Sequence, residues 1–270
     1  MPRSNFTGRL VVVTGASSGL GREIALCLAL REKADVVIAA RRRDRLEALK
    51  AEIEARSESH AHVIGVDLGD SEAPQTLFRE ATALGPVAAL VNCAGVTFYG
   101  RTLDAPMAEC MRIVAVNQLA TMQATMLFLR YFLDRGSGAI LAVTSVSGIV
   151  PNPFQNVYSA SKHAVQTFME GLSREYRGRG VSICTFAAGS MATEMITNSG
   201  LDRRHGTGSP VYLSLARSAR HALSSLKKGK LFSVPGWMYK TVVVLARLVP
   251  RRFLLWAVER FYTPRIPSER

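Results

Sequence analysis

The amino-acid sequence predicts an α/β fold: one doubly wound parallel sheet with helices on both faces. Short apolar segments rich in β-branched residues, typical of strands, alternate with segments whose apolar residues recur at helical spacing. The strand-like segments are apolar throughout, as expected for a parallel sheet that is buried on both faces. A glycine-rich turn joins the first strand directly to the first helix, where sheets of this kind bind ligands.

Seven strands are predicted from β-branched or apolar runs that are bounded by glycine, proline or polar residues. Short loops and right-handed crossovers place such strands in one sheet. The predicted strands are Leu10–Thr14, Val36–Ala40, His62–Val66, Val87–Val91, Ala139–Ser145, Val181–Phe186 and Lys230–Val234.

Helices are predicted between the strands because apolar residues recur every three to four positions, as Leu46, Leu49 and Ile53 do. Ala105–Arg135 is predicted as two helices or one bent helix, and Met191–Pro210 as a long functional loop on the ligand side of the sheet. The other predicted helices are Leu20–Leu30, Arg43–Arg56, Ser71–Leu84, Asn156–Arg177 and two short amphipathic helices within Trp237–Tyr262.

The composition indicates a folded protein. The chain has 270 residues, of which 48% are hydrophobic and 20% charged, and this excludes a disordered chain. We find no repeat and no linker, so we predict one domain over residues 1–236 and an extension over residues 237–270. The chain opens without a signal peptide pattern. Its four cysteines lie far apart in apolar segments without metal-ligand spacing, so we expect no metal site and a reducing, cytoplasmic compartment.

The glycine-rich turn is a candidate phosphate-binding loop. Glycines allow the backbone to turn sharply and approach a pyrophosphate, which the amides at the start of the following helix can bind. A plain glycine-rich turn is the alternative, but the position after a strand and before a helix favours the binding loop. The candidate binding residues are Gly15, Ser17, Ser18, Gly19, Leu20 and Gly21.

A tyrosine and a lysine form a candidate catalytic pair. Tyr158 and Lys162 are four positions apart on the predicted helix Asn156–Arg177, so they project from the same face. An ammonium beside a phenol favours the phenolate and lowers the pKa of the phenol toward the working pH. The alternative is that Tyr158 and Lys162 are a chance pair on a helix, and without further motifs this interpretation would be preferred. Ser145 ends a predicted strand thirteen positions before the tyrosine.

Together these motifs resemble the short-chain dehydrogenase/reductase family, over roughly residues 9–236. The shared features are Gly-x3-Gly-x-Gly after Thr14, the Tyr-x3-Lys signature, and Asn92–Gly95, which is similar to Asn-Asn-Ala-Gly with Cys93 replacing the second Asn. Ala187–Gly189 departs from the usual Pro-Gly, which leaves the path of the next loop open. The resemblance implies a Rossmann-type fold, and within the family the chain resembles NADP-preferring, DltE-like bacterial members with an apolar, basic C-terminal extension.

The resemblance also implies roles for individual residues. Tyr158 would donate a proton to a carbonyl oxygen that Ser145 holds, while Lys162 would bind the nicotinamide ribose and tune the tyrosine. Asn117 would hold a water that relays protons to the lysine, and Thr193 would bond the nicotinamide carboxamide. The remaining cofactor-binding positions that the family implies are Asp67, Leu68, Asn92, Ala94 and Gly95.

The end of the second predicted strand indicates the choice of cofactor. Family members that prefer NAD have an acid there, whereas this chain has Ala40 followed by Arg41. An acid would repel a 2′-phosphate, and a guanidinium can bind one with its planar fork, so we expect NADPH/NADP as the cofactor. The alternative is that the arginines simply begin a solvated helix, which we expect for Arg43. Asp67 has its own alternative, a helix-capping role shared with Asp70.

Positive charge is concentrated in the last quarter of the chain. Residues 202–270 contain 14 Lys or Arg and three acidic residues, which leaves +11 of the net charge of +13 there. The apolar stretches of Trp237–Tyr262 are too short to span a bilayer, which needs roughly 20 apolar residues. Two expectations therefore stay open: peripheral contact with the inner face of an anionic membrane, or helices that fold over the substrate cleft or onto a partner subunit.

We expect an enzyme that reduces a ketone on a hydrophobic, lipid-like small molecule, or oxidises the corresponding alcohol. The alternative is a catalytically idle NADPH-binding regulator, although Tyr158 and Lys162 are both present. No nucleic-acid-recognition motif accompanies the basic residues, so no nucleic-acid partner is expected. By resemblance we expect a homodimer or homotetramer, formed partly through an apolar face of helix Asn156–Arg177. That face contains Val157, Ala160, Ala164, Phe168 and Leu172.

Overall fold

The computed structural model describes residues 5–199 and 212–262. Its strands form one parallel seven-stranded sheet in the order β3-β2-β1-β4-β5-β6-β7. The predicted fold class is confirmed. The strands are β1 (Leu10–Thr14), β2 (Asp35–Ala40), β3 (Ala61–Gly65), β4 (Val87–Asn92), β5 (Gly138–Ser145), β6 (Val181–Ala188) and β7 (Phe232–Ser233).

Helices cover both faces of this sheet. A π-helical turn, Ala115–Leu119, lies between α4 and α5, so the stretch predicted as two helices or one bent helix consists of two α-helices joined by that turn. The helices are α1 (Gly19–Glu32), α2 (Arg43–Arg56), α3 (Ala73–Ala83), α4 (Met107–Val114), α5 (Ala120–Asp134), α6 (Asn156–Glu175), α7 (Glu194–Asn198), α8 (Leu215–Lys227), α9 (Trp237–Leu248) and α10 (Arg251–Tyr262).

Alternation along each strand divides the core into two layers. Val11 and Val13 pack with α1, α2 and α8 on one face, whereas Val12 packs with α3, α5 and α6 on the other. All three valines are completely buried. Because successive side chains of a strand point to opposite faces, a strand buried on both faces must be apolar throughout. This is why the strands could be predicted from unbroken apolar runs.

Three features differ from the prediction. Helix α8 was not predicted, although Ser214 caps it by accepting a hydrogen bond from the Arg217 amide, and its buried residues recur at helical spacing. The predicted loop Met191–Pro210 contains the short helix α7, while residues 200–210 lie outside the described residues. The seventh strand is only two residues long and pairs with β6.

The strand order fixes the position of the functional site. The chain crosses from β3 to β4 over β2 and β1, so strands on the two sides of the β1–β4 boundary are wound in opposite directions. Loops at the carboxyl ends of β1 and β4 therefore diverge and leave a crevice, where doubly wound sheets bind ligands. The glycine-rich turn and the segment after β4 both lie at this crevice.

Candidate active site

The glycine-rich turn is held close to the segment after β4. Gly15 has a φ of +69°, and a Cβ placed on it would lie 2.7 Å from the Ala94 Cα. A Cβ on Gly21 would lie 2.4 Å from the Gly15 carbonyl oxygen. Only glycine fits these two positions, because any side chain would collide with backbone. The result is a tight turn whose backbone is open to a ligand at the start of α1.

Thr14 joins the two loops of the crevice. Its hydroxyl oxygen accepts hydrogen bonds from the amides of Cys93 and Ala94, at 3.0 and 3.2 Å, and donates to the Val91 carbonyl at 3.4 Å. The side chain is buried, so these bonds are shielded from water. Thr14 therefore fixes the distance between the phosphate-loop candidate and the end of β4. From the sequence, Thr14 was recognised only as part of the motif, without this role.

A cavity of about 900 Å³ runs along the carboxyl ends of the strands. It extends from Arg41 past the glycine-rich turn to the catalytic candidates, and α9 and α10 line its far end. Of the described residues, Asn92, Asp67 and Asn117 are predicted site residues that do not line it. The predicted site residues that do line it are Gly15, Ser17, Ser18, Gly19, Leu20, Gly21, Arg41, Leu68, Ala94, Gly95, Ser145, Tyr158, Lys162 and Thr193.

Ser145 lies at the end of β5, at the start of a tight turn. Its Oγ accepts a hydrogen bond of 3.1 Å from the Ser147 amide, which leaves the hydroxyl proton free to donate into the cavity. Ser159 donates to the Ser147 carbonyl and attaches this turn to α6, one residue after Tyr158. The hydrogen bonds of this turn thus fix the position of Ser145 relative to the helix that carries Tyr158.

Gly148 lets the same turn pack directly on α6. A Cβ at this position would lie 2.9 Å from the carbonyl oxygen of Lys162, so a side chain would push the turn off the helix. Ser145, Tyr158 and Lys162 therefore share one rigid unit, as precise catalytic geometry requires. This glycine was not predicted as a site residue, because nothing in the local sequence indicates that α6 lies against it.

Lys162 is a buried cation. Its Nζ donates to the Val143 carbonyl at 3.0 Å and lies 5.9 Å from the centroid of the Tyr158 ring. Burial lowers the pKa of Lys162 from 10.5 to about 8, because an ammonium loses solvation inside the protein. The Val143 carbonyl uses one of the three N–H donors, and among the described residues no further hydrogen-bond acceptor is found for the other two. These donors suit hydroxyl groups of a ligand.

Asn117 lies in the π-helical turn between α4 and α5 and is completely buried. Its side chain accepts from the Val96 amide at 2.8 Å, and donates to the Val96 carbonyl at 2.9 Å and to Ser161 Oγ at 3.1 Å. A Cβ on Gly95 would lie 3.4 Å from the Asn117 amide oxygen and 3.5 Å from Lys162 Nζ. Asn117 therefore lies behind the cavity wall, next to the lysine. A π-helical turn inside a helix is frequently found at a functional site.

Asn92 does not reach the cavity. Its side-chain amide donates to the Thr125 hydroxyl at 3.0 Å, beneath the sheet. Cys93, the neighbour that departs from the family pattern, lines the cavity instead. Burial raises the pKa of the Cys93 thiol to about 12, although Lys162 partly offsets the effect. The thiol is thus neutral at physiological pH and contributes no charge beside the lysine.

The basic end of the cavity contains two arginines with different partners. Arg41 is half exposed, and its guanidinium lies 4.0 Å from an Asp67 carboxylate oxygen, a loose pair. Asp67 binds Arg112 more closely, at 2.9 Å, and accepts from the Gly69 amide. Partial burial raises the pKa of Asp67, but the Gly69 amide and Arg112 together hold it below its ordinary value. Asp67 is therefore ionised and anchored at the edge of the site.

Helices α9 and α10 line the far end of the cavity. The Tyr239 ring lies against Gly189, where a Cβ would be 2.4 Å from the ring, and its hydroxyl accepts from the Ser190 amide at 2.9 Å. Val242 and Leu245 of α9 line the cavity, as do Leu254 and Val258 of α10. One side of each helix thus lines the cleft, as one of the two expectations for this segment requires. No helix in the described part of the chain is long and apolar enough to cross a bilayer.

A glycine turn at a sheet crevice, with Ser, Tyr and Lys in the adjoining cavity, is the site of a nicotinamide-dependent oxidoreductase that acts on CH–OH or C=O groups. Comparison with known families gives the same class. Residues 9–204 match the family described as short chain dehydrogenase, which is well over half of the chain. The chain belongs to the short-chain dehydrogenase family.

Named relatives and solved structures agree with this assignment. Glycine betaine reductase ATRR from Emericella nidulans is 36% identical over 197 residues, which are 73% of this chain but only 15% of that protein. Ketoacyl reductase HetN from Nostoc sp. is 31% identical over 232 residues, which are 86% of this chain and 79% of that protein. A 7beta-hydroxysteroid dehydrogenase structure has a TM-score of 0.84 at 21% identity, covering 96% of this chain and 99% of its own, and it shows the shared fold.

Proposed function

We propose that this enzyme reduces, with NADPH, a ketone on a bulky apolar molecule, and that it also catalyses the reverse oxidation. The observation that carries the substrate class is the apolar wall that α9 and α10 add to the catalytic end of the cavity. This wall is built from Met238, Val242, Leu245, Val249, Phe253, Leu254 and Val258. Removing apolar surface from water favours an apolar substrate by roughly 25 cal/mol per Å². The name of one relative, ketoacyl reductase HetN, 31% identical to this chain, is consistent with a ketone as the substrate.

The residues of the site divide the chemistry among them. Tyr158 donates a proton to the carbonyl oxygen, and Ser145 donates a hydrogen bond to the same oxygen. Lys162 binds the ribose hydroxyls with its remaining N–H donors and favours the phenolate by its charge. Asn117 lies beside the lysine, on the other side of Gly95, and by its resemblance to the family it would hold the relay water near this point. The bound nicotinamide supplies the hydride.

The residues present fit a dinucleotide cofactor. The cradle at Gly15 and Gly21 has no room for side chains, and the start of α1 beside it offers backbone amides to phosphate. Thr193 lines the cavity, as expected for a residue that bonds the carboxamide. Ala40 and Arg41 line its other end, so the 2′-phosphate of NADPH would meet a cation rather than an acid there. These positions support NADPH over NADH.

Turnover of NADPH against ketones of increasing size tests the proposed function. We expect kcat/KM to rise from small ketones to long-chain or polycyclic ones, because only the larger molecules reach the walls supplied by α9 and α10. NADPH that binds but is not consumed with any ketone would instead indicate the regulatory protein. Equal kcat/KM across all sizes would refute the proposed substrate class.

We propose a homodimer or homotetramer, formed partly through α6. Val157, Phe168 and Leu172 on this helix are only partly covered within the chain, and Ala160 is exposed. Met126 on the neighbouring α5 is also exposed. Two copies related by a twofold axis would cover the same patch on both subunits. Light scattering at micromolar concentration should report at least a dimer, and a monomer alone would contradict the proposal.

We also propose that the outer side of α9 and α10 contacts an anionic membrane. Trp237 and Leu248 on α9 are 81% and 74% exposed, and Trp256 on α10 is 59% exposed. Arg251 and Arg252 are exposed beside them. Exposed aromatic and aliphatic side chains flanked by cations are typical of helices that lie in a membrane interface. The same segment then covers the cleft with one side and approaches lipid with the other.

Sedimentation with anionic vesicles tests this contact in the full chain. We expect binding at low salt that weakens as salt rises, because each cation near anionic lipid contributes about 1 kcal/mol and the attraction is screened. Replacing Trp237 and Trp256 together by serine should release the protein from the vesicles. The matched control replaces Leu103 and Met107, which are 97% and 74% exposed elsewhere on the surface. A wild-type chain that stays in the supernatant at low salt would leave the segment with a covering role only.

A further inference from the structure

Arg42, which the sequence analysis did not single out, connects three parts of the site. One guanidinium nitrogen donates to the hydroxyls of Ser17 and Ser18, at 3.1 and 3.0 Å, on the glycine-rich turn. The other donates to a carboxylate oxygen of Glu194 at 2.7 Å. Arg45, one turn into α2, donates to the second oxygen of the same carboxylate. Two cations of α2 thus share one anion from a segment that is distant in the sequence.

Glu194 contacts the cofactor end of the cavity and begins a segment that continues along the cavity wall. It is the first residue of α7 and directly follows Thr193, while Met195 and Ile196 after it line the cavity. The Arg42 and Arg45 guanidinium groups hold the pKa of Glu194 below its ordinary value, so the carboxylate is charged at neutral pH. The position of α7 therefore depends partly on an ion pair with the cofactor end of the cavity.

The cations around Glu194 form a site that favours an anion. Arg42 is the N-terminal capping residue of α2, and Arg45 lies in its first turn. Cations at this end of a helix are unfavourable, since the helix dipole places partial positive charge there. Glu194 compensates for both, and a phosphate group could do the same. Ser17, Ser18, Arg41, Arg42 and Glu194 all line the cavity, so a 2′-phosphate bound by Arg41 would lie near Arg42 as well.

We propose that Glu194 competes with the 2′-phosphate of the cofactor for Arg42, so that NADPH loosens the attachment of α7 to α2 and NADH does not. The inference rests on the proposed NADPH preference. A phosphate carries a charge of about −1.5 to −2 and would be repelled by the Glu194 carboxylate across a shared guanidinium. When NADPH binds, the Arg42 guanidinium exchanges its ion pair with Glu194 for one with the phosphate. Glu194 thereby influences both the affinity for NADPH and the mobility of α7.

Calorimetric titration of NADPH and NADH at low salt into wild type and Glu194→Gln tests the competition. We expect the variant to bind NADPH about fivefold more tightly, because the repulsion is removed, and NADH within twofold of wild type. Glu47→Gln is the matched control. It removes the same charge from α2 at an exposed position, where Glu47 pairs with Arg43 at 3.4 Å, and it should leave both affinities unchanged.

Hydrogen exchange of the α7 amides provides a second readout that does not depend on affinity. In wild type we expect faster exchange with NADPH bound than with NADH bound, and in Glu194→Gln no difference between the two cofactors. Weaker NADPH binding by the variant would show that Glu194 orients Arg42, which overturns the competition. Equal changes for both cofactors, or none, would overturn it too.

The wild-type titration separates this inference from the proposed function. A wild type that prefers NADPH, together with an unchanged variant, refutes the inference alone. A wild type that binds both cofactors equally refutes the cofactor preference and the competition with it.

Discussion

Replacing Tyr158 by phenylalanine is expected to reduce kcat by at least about a hundredfold, while the affinity for NADPH stays within a few-fold of wild type. The substitution removes only the hydroxyl that we propose as the proton donor, and positioned general acids contribute about 10²–10⁴-fold to rate. Tyr158 and Lys162 line the same cavity, and the lysine is attached independently to the Val143 carbonyl. We therefore expect the proposed ribose contact of Lys162 to survive the change. Steady-state kinetics together with a cofactor titration measures both effects.

Tyr176→Phe is the matched control for this prediction. Tyr176 follows the last residue of α6, roughly 27 Å further along the same helix. Tyr176→Phe also removes a phenolic hydroxyl, but Tyr176 does not line the cavity. Activity should therefore be unchanged. If Tyr158→Phe retained activity within a few-fold of wild type, the tyrosine could not be the proton donor.

Wild type is expected to bind NADPH at least tenfold more tightly than NADH, a difference of about 1.4 kcal/mol, and Arg41→Ala should lose most of this preference. The half-exposed Arg41 is held only loosely by Asp67, at 4.0 Å, so its planar fork is available to the 2′-phosphate. NADH lacks that phosphate, and its affinity should change little. Titration of both cofactors into both proteins gives the ratio directly.

Arg43→Ala controls for the loss of a positive charge. Arg43 is two positions further along and strongly exposed, and it pairs with Glu47 on α2. Removing it lowers the net charge equally, so a general electrostatic effect on an anionic cofactor would appear in both variants. A loss of preference in Arg43→Ala as large as in Arg41→Ala would mean that no specific phosphate contact exists. Equal affinities in wild type would refute the preference itself.

The predictable parts of this protein are those fixed by local pattern. Strands such as β1 were predictable because both faces of the sheet are buried, which demands unbroken apolar runs. Ser145, Tyr158 and Lys162 line one cavity, as predicted, because motif spacing and the topology of a parallel sheet bring strand ends and helix starts together. Gly15 was predictable because only glycine allows that turn.

The unpredicted parts depend on contacts between distant segments. Arg42 stands next to Arg41, and composition cannot tell which guanidinium faces Glu194, 152 positions away. Asn92 follows the family pattern, but alternation along the strand turns its side chain inward to Thr125. The apolar faces of helices α9 and α10 could be buried either in a membrane interface or against the cleft, and the sequence pattern is the same in both cases. Only the tertiary structure showed that one side of each helix lines the cavity.

The central claim is that this cavity reduces a bulky ketone by direct transfer from NADPH. The most direct measurement uses NADPH carrying deuterium at the transferable position of the nicotinamide, a long-chain or polycyclic ketone, and mass spectrometry of the alcohol. Wild type should yield alcohol with deuterium on the carbinol carbon, and Tyr158→Phe should yield almost none. Alcohol formed without deuterium, or no alcohol from any apolar ketone while NADPH binds normally, would contradict the account.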